Sequence, residues 1–452
     1  MAKKLWGGRF KKKTDPFFEK FSSSILTDYR LAKCDLIGSF LHIHVLKGAG
    51  LISAAEFPRL KKGLLSLLGQ VDKGVFPYDF SSEDIHTNVQ NALMKKAGSV
   101  ALKLQTCRSR NDQVVFDTKL YCLISGARLQ DLIFHLRKTI LELGGLYSSL
   151  IIPGYTHLQH AQPVYFKDYL QAHSLMFERD AQRLEDALFR LGPSMGSGAL
   201  AGTPIPASVY RAGIKKGLTE LKMPGLMKLF APAENSMAAV SDRDFVIEIL
   251  SVLSILGMHI SRLCEDLILW STQEFGFIEL GDEYCTGSSL MPHKKNPDAL
   301  ELMRGSTGAL FGHLVSVLTM MKGLPLTYDR DMQNDKEPLF SSLELIEDEL
   351  VILSGVLKSL KVNKENIAGQ LRDESLCATD LADHLVSCGV AFREAHEIIG
   401  GLIRYSLETG KEIKRMSQAE LDQFSKKLVK KEVLKRLDPI YCVSSKRSIR
   451  KK

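Results

Sequence analysis

Tyr165-Phe-Lys-Asp-Tyr-Leu-Gln-Ala-His-Ser-Leu-Met-Phe-Glu-Arg-Asp-Ala-Gln-Arg-Leu-Glu-Asp-Ala-Leu-Phe-Arg-Leu191 is free of glycine and proline, and Pro163 stands where a first helical residue would be. Apolar or small residues recur at Leu170, Ser174, Phe177, Ala181, Leu184, Leu188 and Leu191. The steps alternate four and three, which keeps one stripe facing a partner helix. Glu178, Arg179, Arg183, Glu185 and Asp186 occupy the opposite face. At 1.5 Å per residue the run predicts a helix about 40 Å long, longer than a typical globular helix. A second subunit is one way to cover its seam, so oligomerisation is expected.

Two further long helices are expected, from Asp242 to about Gln273 and from Asp298 to Met321, the latter ended by Lys322-Gly323 and Pro325. The first is apolar nearly all round over Phe245 to Ile260, but Glu248 and His259 interrupt it short of the roughly 18 apolar residues of a membrane span. It reads as a buried helix of a soluble protein. Long proline-free helices packed in this way make an all-α, up-and-down bundle. Residues 1–108 carry shorter helices broken by Gly48, Gly50, Gly74 and Pro77, and residues 361–452 carry short amphipathic ones. The expected organisation is therefore an N-terminal helical domain (1–108), a central bundle (109–360) and a small C-terminal helical domain (361–452). No strand-rich region or internal repeat is expected.

Composition fits this picture: 452 residues, 45% apolar and 25% charged, with ample material for a core. The net charge of +8 is concentrated at the ends, in Lys3, Lys4, Arg9 and Lys11 to Lys13, and in Lys446, Arg447, Arg450, Lys451 and Lys452. No aromatic residue interleaves with the C-terminal basic residues, which argues against a nucleic-acid platform there. No signal peptide or membrane anchor is legible, and the eight cysteines form no C-x-x-C pair. A reducing, cytoplasmic setting is expected, with no nucleic acid or membrane as partner.

Four polar, turn-forming segments interrupt the helices. Gly287-Ser-Ser-Leu-Met-Pro-His-Lys-Lys-Asn-Pro297 offers two serines, two lysines and an asparagine on one loop, which suits an anionic ligand. Gly154-Tyr-Thr-His-Leu-Gln-His-Ala-Gln-Pro163 places Thr156 and His157 just before the seam helix, where free N–H groups favour anions. His157 and His160 lack further ligands at metal spacing, so His157 reads as an acid–base or donor group and no metal site is expected. Arg108-Ser-Arg-Asn-Asp-Gln113 can grip a carboxylate in bidentate fashion. Ser81-Ser-Glu-Asp-Ile-His-Thr87 reads as a capping box of Ser81 with Asp84, with His86 in the first helical turn on the side of Gln90. Gly196-Ser-Gly-Ala-Leu-Ala201 has the form of a dinucleotide fingerprint, but no strand is expected before it and Thr203-Pro204 breaks the helix that should follow. These residues describe an enzyme that gathers histidine, serine and basic groups around a small polyanion, without metal or nucleotide. Proton abstraction beside a carboxylate matches them.

The loop Gly287-Ser288-Ser289-x-Met291-Pro292-x-Lys294-x-Asn296-Pro297 resembles the signature of the fumarase, aspartase and argininosuccinate lyase superfamily. Leu5-Trp-Gly-Gly-Arg-Phe10, Arg108 to Val114, Gly196 to Gly202, Val240-Ser-Asp-Arg-Asp-Phe245, Asp331 to Pro338 and Phe392-Arg-Glu-Ala-His396 are similar to the argininosuccinate lyase family in particular. The resemblance implies the fumarase/aspartase-like three-domain fold, and a homotetramer whose central helices form a twenty-helix core with active sites shared between subunits. It implies reversible elimination of fumarate from argininosuccinate, leaving arginine, with no cofactor. By the same resemblance Ser288 is the catalytic base and His157 its acid–base partner. His86 is a second histidine that orients substrate or His157. Ser24, Asn111, Thr156, Tyr328, Gln333 and Lys336 match substrate-binding positions, Lys294 and Asn296 hold a carboxylate, and Arg110 assists. An adenylosuccinate lyase-like enzyme is the competing reading, slightly favoured by His293. A retired, crystallin-like scaffold is another, opposed by retention of Ser288, His157, Lys294, Asn111 and Lys336. The chain departs from the family pattern at Gln105 and Cys107, where His-Thr-Gly is usual, at Ala238 for Asp, and at His293 for Gln. A cysteine at 107 is restrictive wherever the backbone needs φ > 0.

Overall fold

The five longest helices among the described residues are Arg110–Leu146, Phe166–Arg190, Asp244–Ser271, Asp298–Met321 and Lys336–Ser359. They follow the expected apolar periodicity, and the three expected long helices appear within a few residues of their expected ends. The computed structural model describes residues 11–448. The Leu5-to-Phe10 segment and the basic residues Lys3, Lys4, Arg9, Arg450, Lys451 and Lys452 lie outside the described residues.

The seam of the Phe166–Arg190 helix is covered within the chain rather than left for a second subunit. Phe177 and Leu184 are fully buried, and Leu170 and Ser174 nearly so. Leu188 packs so closely on Gly126 of the Arg110–Leu146 helix that any side chain there would collide, and Leu170 lies against Gly144 of the same helix. The apolar surface that stays exposed is elsewhere, including Phe311, Val315 and Leu318, spaced four and three on the Asp298–Met321 helix. The Asp244–Ser271 helix is long and apolar enough to cross a membrane, yet Leu253, Leu256, Ile260 and Leu263 are fully buried inside the protein.

The chain divides into two compact units, to each of which every long helix contributes a segment. The first comprises Met1–Leu132, Asp180–Gly257 and Ser306–Asp348. Its most enclosed element is the Ala32–Gly48 helix, in which Leu36, Ile37, Phe40, Leu41 and Ile43 are all buried. It packs on the Glu56–Asp72 and Ala207–Glu220 helices, the latter presenting Gly213 and Gly217 to Val45 and Leu41. A two-residue strand, Ser194–Met195, pairs in parallel with Ala231–Pro232. A strand therefore does precede the Gly196 segment, but the next helix begins only at Ala207, too late to seat a dinucleotide.

The second unit comprises Ile133–Arg179, Met258–Gly305 and Glu349–Lys452. It holds an antiparallel hairpin that the polar sequence did not announce, Ile151–Thr156 against Gln159–Tyr165. Pro163 is part of this ladder, opposite Pro153, and the helix begins only at Phe166. A two-stranded ladder consists of edges alone, so prolines fit where their missing N–H faces outward. Short helices between Ala378 and Ser445 surround a cluster of Leu381, Leu385, Leu402, Ile413, Leu421, Leu428 and Val433. A capping box of Ser417 with Glu420 starts one of them.

Candidate active site

The first unit gathers seven of the expected residues. Ser24 Oγ donates to Asp28 Oδ2 at 2.5 Å, and Asp28 Oδ1 accepts from Ile85 N at 3.0 Å. This ties the Ser24 turn to the start of the Ile85–Ala97 helix. The cap of that helix is Asp84, whose Oδ1 accepts from Thr87 N at 2.8 Å, while Ser81 bonds Asp79 instead. The expected Ser81 capping box is therefore replaced by an aspartate cap, because Asp84 is the residue directly before the first turn. His86 falls in that turn, as expected, and is 4% exposed.

Arg110 begins the Arg110–Leu146 helix and turns back to the cap. Its Nη1 lies 2.7 Å from Asp84 Oδ2 and its Nη2 donates to Thr87 Oγ1 at 2.7 Å. Asn111 Nδ2 donates to Ala199 O at 3.5 Å. Gln333 Nε2 and Arg330 Nη2 both donate to Ser22 O, at 3.2 and 2.8 Å. Lys336 is buried and donates to Asp335 Oδ1 at 2.6 Å, while Arg243 Nε donates to Oδ2 of the same carboxylate at 2.6 Å. Asp335 is fully buried, but the two cations hold its carboxyl below the usual range. Tyr328 is half-buried, and burial raises its hydroxyl against the opposing field of Arg243. Ser24, His86, Arg110, Asn111, Tyr328, Gln333 and Lys336 thus belong to one unit.

Sequence reasoning read Asp84 only as part of a cap and missed the rest of the acidic frame around these groups: Asp28, Asp35, Asp117 and Asp335. Asp35 and Asp117 approach His86 Nδ1 at 3.5 and 3.6 Å, and ligand atoms of the three residues lie within 4.8 Å of one another. Among the described residues this trio, not the His157–His160 pair, is where metal-ligating atom types converge. Burial pushes the Asp117 carboxyl well up, reinforced by the charge of Asp35. Burial opposes charge on Asp35 and on His86 too, but their mutual contact lowers the Asp35 carboxyl and raises the His86 imidazole. The signal available was Asp35 itself, the one formal charge between Cys34 and Leu46 of its helix. Asp112 is another such group: burial pushes it up to about 6, and it accepts from Gly198 N at 2.9 Å.

The remaining expected residues belong to the second unit. Ser288 is half-buried, and its Oγ accepts from Leu290 N at 3.2 Å and Met291 N at 3.0 Å. The loop is closed at its base, where Thr286 and Asn296 exchange backbone hydrogen bonds of 3.2 and 2.8 Å. Lys295 Nζ anchors it to Leu280 O and Asp282 Oδ1, both at 2.6 Å. The adjacent Lys294 is exposed. Thr156 and His157 sit at the exposed tip of the hairpin rather than beside a helix N-terminus. His157 and Leu158 have φ of 54° and 56°, the paired positive values of a tight hairpin turn normally made by Asn-Gly. Below the tip, His160 Nδ1 meets Asp373 Oδ2 at 2.7 Å and its Nε2 meets Tyr155 Oη at 3.2 Å, beside a cavity of about 470 Å³.

The Lyase family model matches residues 8–312, a span that includes the serine–lysine–asparagine loop, and the chain is a lyase. The Argininosuccinate lyase C-terminal model matches residues 375–444. The argininosuccinate lyase of Caldanaerobacter subterraneus subsp. tengcongensis is 44% identical over 436 residues, 96% of this chain and 96% of that protein. That of Pelotomaculum thermopropionicum is 43% identical over 445 residues, 98% of this chain and 94% of that protein. The chain belongs to the argininosuccinate lyase family. Its fold is also that of a solved class II fumarase from Schistosoma mansoni, with TM-score 0.79 at 17% identity, covering 96% of this chain and 93% of that one.

Proposed function

We propose that the chain catalyses the reversible elimination of fumarate from argininosuccinate, releasing arginine, as the last step of arginine biosynthesis. The observation that carries the mechanism is the pair of backbone N–H groups on Ser288 Oγ. A serine hydroxyl is a weak base unless its alkoxide is stabilised, and two donors at 3.0 to 3.2 Å lower that cost. Ser288, as the alkoxide these donors stabilise, takes the proton beside a succinyl carboxylate and ends as the hydroxyl. The resulting carbanion takes aci-carboxylate form, stabilised by Lys294 and Asn296. His157 protonates the departing guanidino nitrogen. Ser24, His86, Arg110, Asn111, Thr156, Tyr328, Gln333 and Lys336 bind the substrate. The elimination balances with these groups alone and calls on no cofactor.

In this reading residues 1–108, 109–360 and 361–452 act as N-terminal, central and C-terminal domains. Four copies assemble in the cytoplasm and share their active sites. The exposed Phe311, Val315 and Leu318 stripe supports association with further copies, and the eight free cysteines fit a reducing compartment. The test offers purified protein argininosuccinate and adenylosuccinate separately and follows the ultraviolet absorbance of fumarate. Fumarate from argininosuccinate alone is expected. A folded tetramer that releases none from either substrate would leave the crystallin-like scaffold as the better reading.

A further inference from the structure

The Asp35, His86 and Asp117 trio has too few protons for its lone pairs if both acids are ionised. Asp35 and Asp117 are essentially unexposed, and among the described residues Asp35 Oδ2, both oxygens of Asp117 and His86 Nδ1 find no hydrogen-bond partner in their present positions. Two carboxylates facing one imidazole nitrogen compete for a single N–H, and two buried like charges at this separation repel. Gln113 breaks the symmetry, because its Nε2 donates to Asp35 Oδ1 and favours the charged form there. Arg108 faces both acids, Asp28 and Asp84 also face His86, and Lys336 faces Asp28. The amide donor on Asp35 also disfavours a metal ion, which would have to compete with it for the same oxygen.

We propose that Asp117 is a buried carboxylic acid donating to the Asp35 carboxylate, and that this pair fixes His86 by taking its Nδ1–H, leaving Nε2 for the substrate. Asp35 and Asp117 are then positioning residues that act through His86. The trio holds one proton on Nδ1, one between the acids and, when His86 is charged, a third on Nε2, so a single negative charge balances the imidazolium. This deepens the proposed lyase reading, since it rests on His86 contacting substrate.

The experiment compares Asp117→Asn and Asp35→Asn in the full-length chain, by kcat/KM over pH and by nitrogen-15 NMR of labelled histidine, with His86→Asn to assign the signal. Asp117→Asn retains a donor toward Asp35, so it should leave the His86 titration in place and lower kcat/KM by much less than Asp35→Asn does. Asp35→Asn removes the anion, so it should move the His86 titration to lower pH and lower kcat/KM by roughly 10- to 100-fold, the factor of a lost charge-assisted hydrogen bond. Equal damage from both variants, or a His86 titration indifferent to Asp35→Asn, overturns the proposal. So does a divalent metal in the purified chain whose removal by chelation shifts the His86 signal. Should Asp35→Asn fail to fold, infrared spectra of the parent decide: a protonated-carboxyl band abolished by Asp117→Asn supports the assignment, and no such band overturns it. The spectra do not depend on turnover, so failure of the lyase reading alone would leave them unchanged.

Discussion

Glu349 lies on the Lys336–Ser359 helix, 2% exposed, with neither carboxylate oxygen hydrogen-bonded among the described residues. Burial alone pushes its carboxyl up to about 8. An unfolded chain releases that proton near pH ~4.3. Between those two values the folded state binds more protons than the unfolded one, so stability falls as pH rises, by about 1.4 kcal/mol per pH unit for this one group. The penalty is absent below the lower value and complete above the upper one. At pH 7 it approaches roughly 3 kcal/mol, less whatever local relaxation recovers. Glu349→Met keeps volume and removes the titration. Urea unfolding should find parent and variant separated little near pH ~5, with the variant pulling ahead by about 2–3 kcal/mol near pH ~7.5. Parallel stability curves across that range would show that Glu349 finds a partner or solvent when ionised, and the argument from its isolation would be wrong.

Asp335→Asn leaves Arg243 buried without its anion and should cost about 3–5 kcal/mol, read as a lowered urea midpoint; a loss under 1 kcal/mol would mean the pair is not enclosed. Ser288→Ala should lower kcat by roughly 10²–10⁴ with the circular-dichroism melt unchanged, and an unaltered kcat would remove Ser288 from the mechanism. Cys107 holds φ of 55°, a strained value for a residue with a Cβ. Cys107→Gly should therefore stabilise by up to about 1 kcal/mol, whereas a lower melting temperature would show that packing of the thiol outweighs the strain. Mixing inactive Ser288→Ala with inactive Asn111→Ala should restore partial activity after subunit exchange; no recovery would count against shared sites.

The helices were legible because each buries a stripe at helical spacing, and that periodicity survives any context. The hairpin from Ile151 to Tyr165 was not, because its two prolines and run of polar residues read as a helix approach. Nothing local announced that His157 and Leu158 would adopt positive φ. The site divides in the same manner. Ser288, Lys294 and Arg110 stand out as reactive groups in turn-forming segments, whereas Asp28, Asp117 and Asp335 sit within helical or capping patterns and gain their meaning only from groups brought in by other elements. Asp117 in particular looks like any polar position on a long helix until Asp35 and His86 meet it. Position 107 is the reverse case: the expected need for freedom there was legible, and the backbone does take the left-handed conformation.

The crossed hydrogen bonds between Thr286 and Asn296 make the serine loop a lasso with its knot already tied. The entropy of bringing its ends together is spent during folding and need not be found again when a ligand arrives. Lys295 keeps the noose that carries Ser288 and Lys294 fastened to Leu280 and Asp282. Residues within the noose, His293 among them, can accordingly be replaced without loosening the helices on either side.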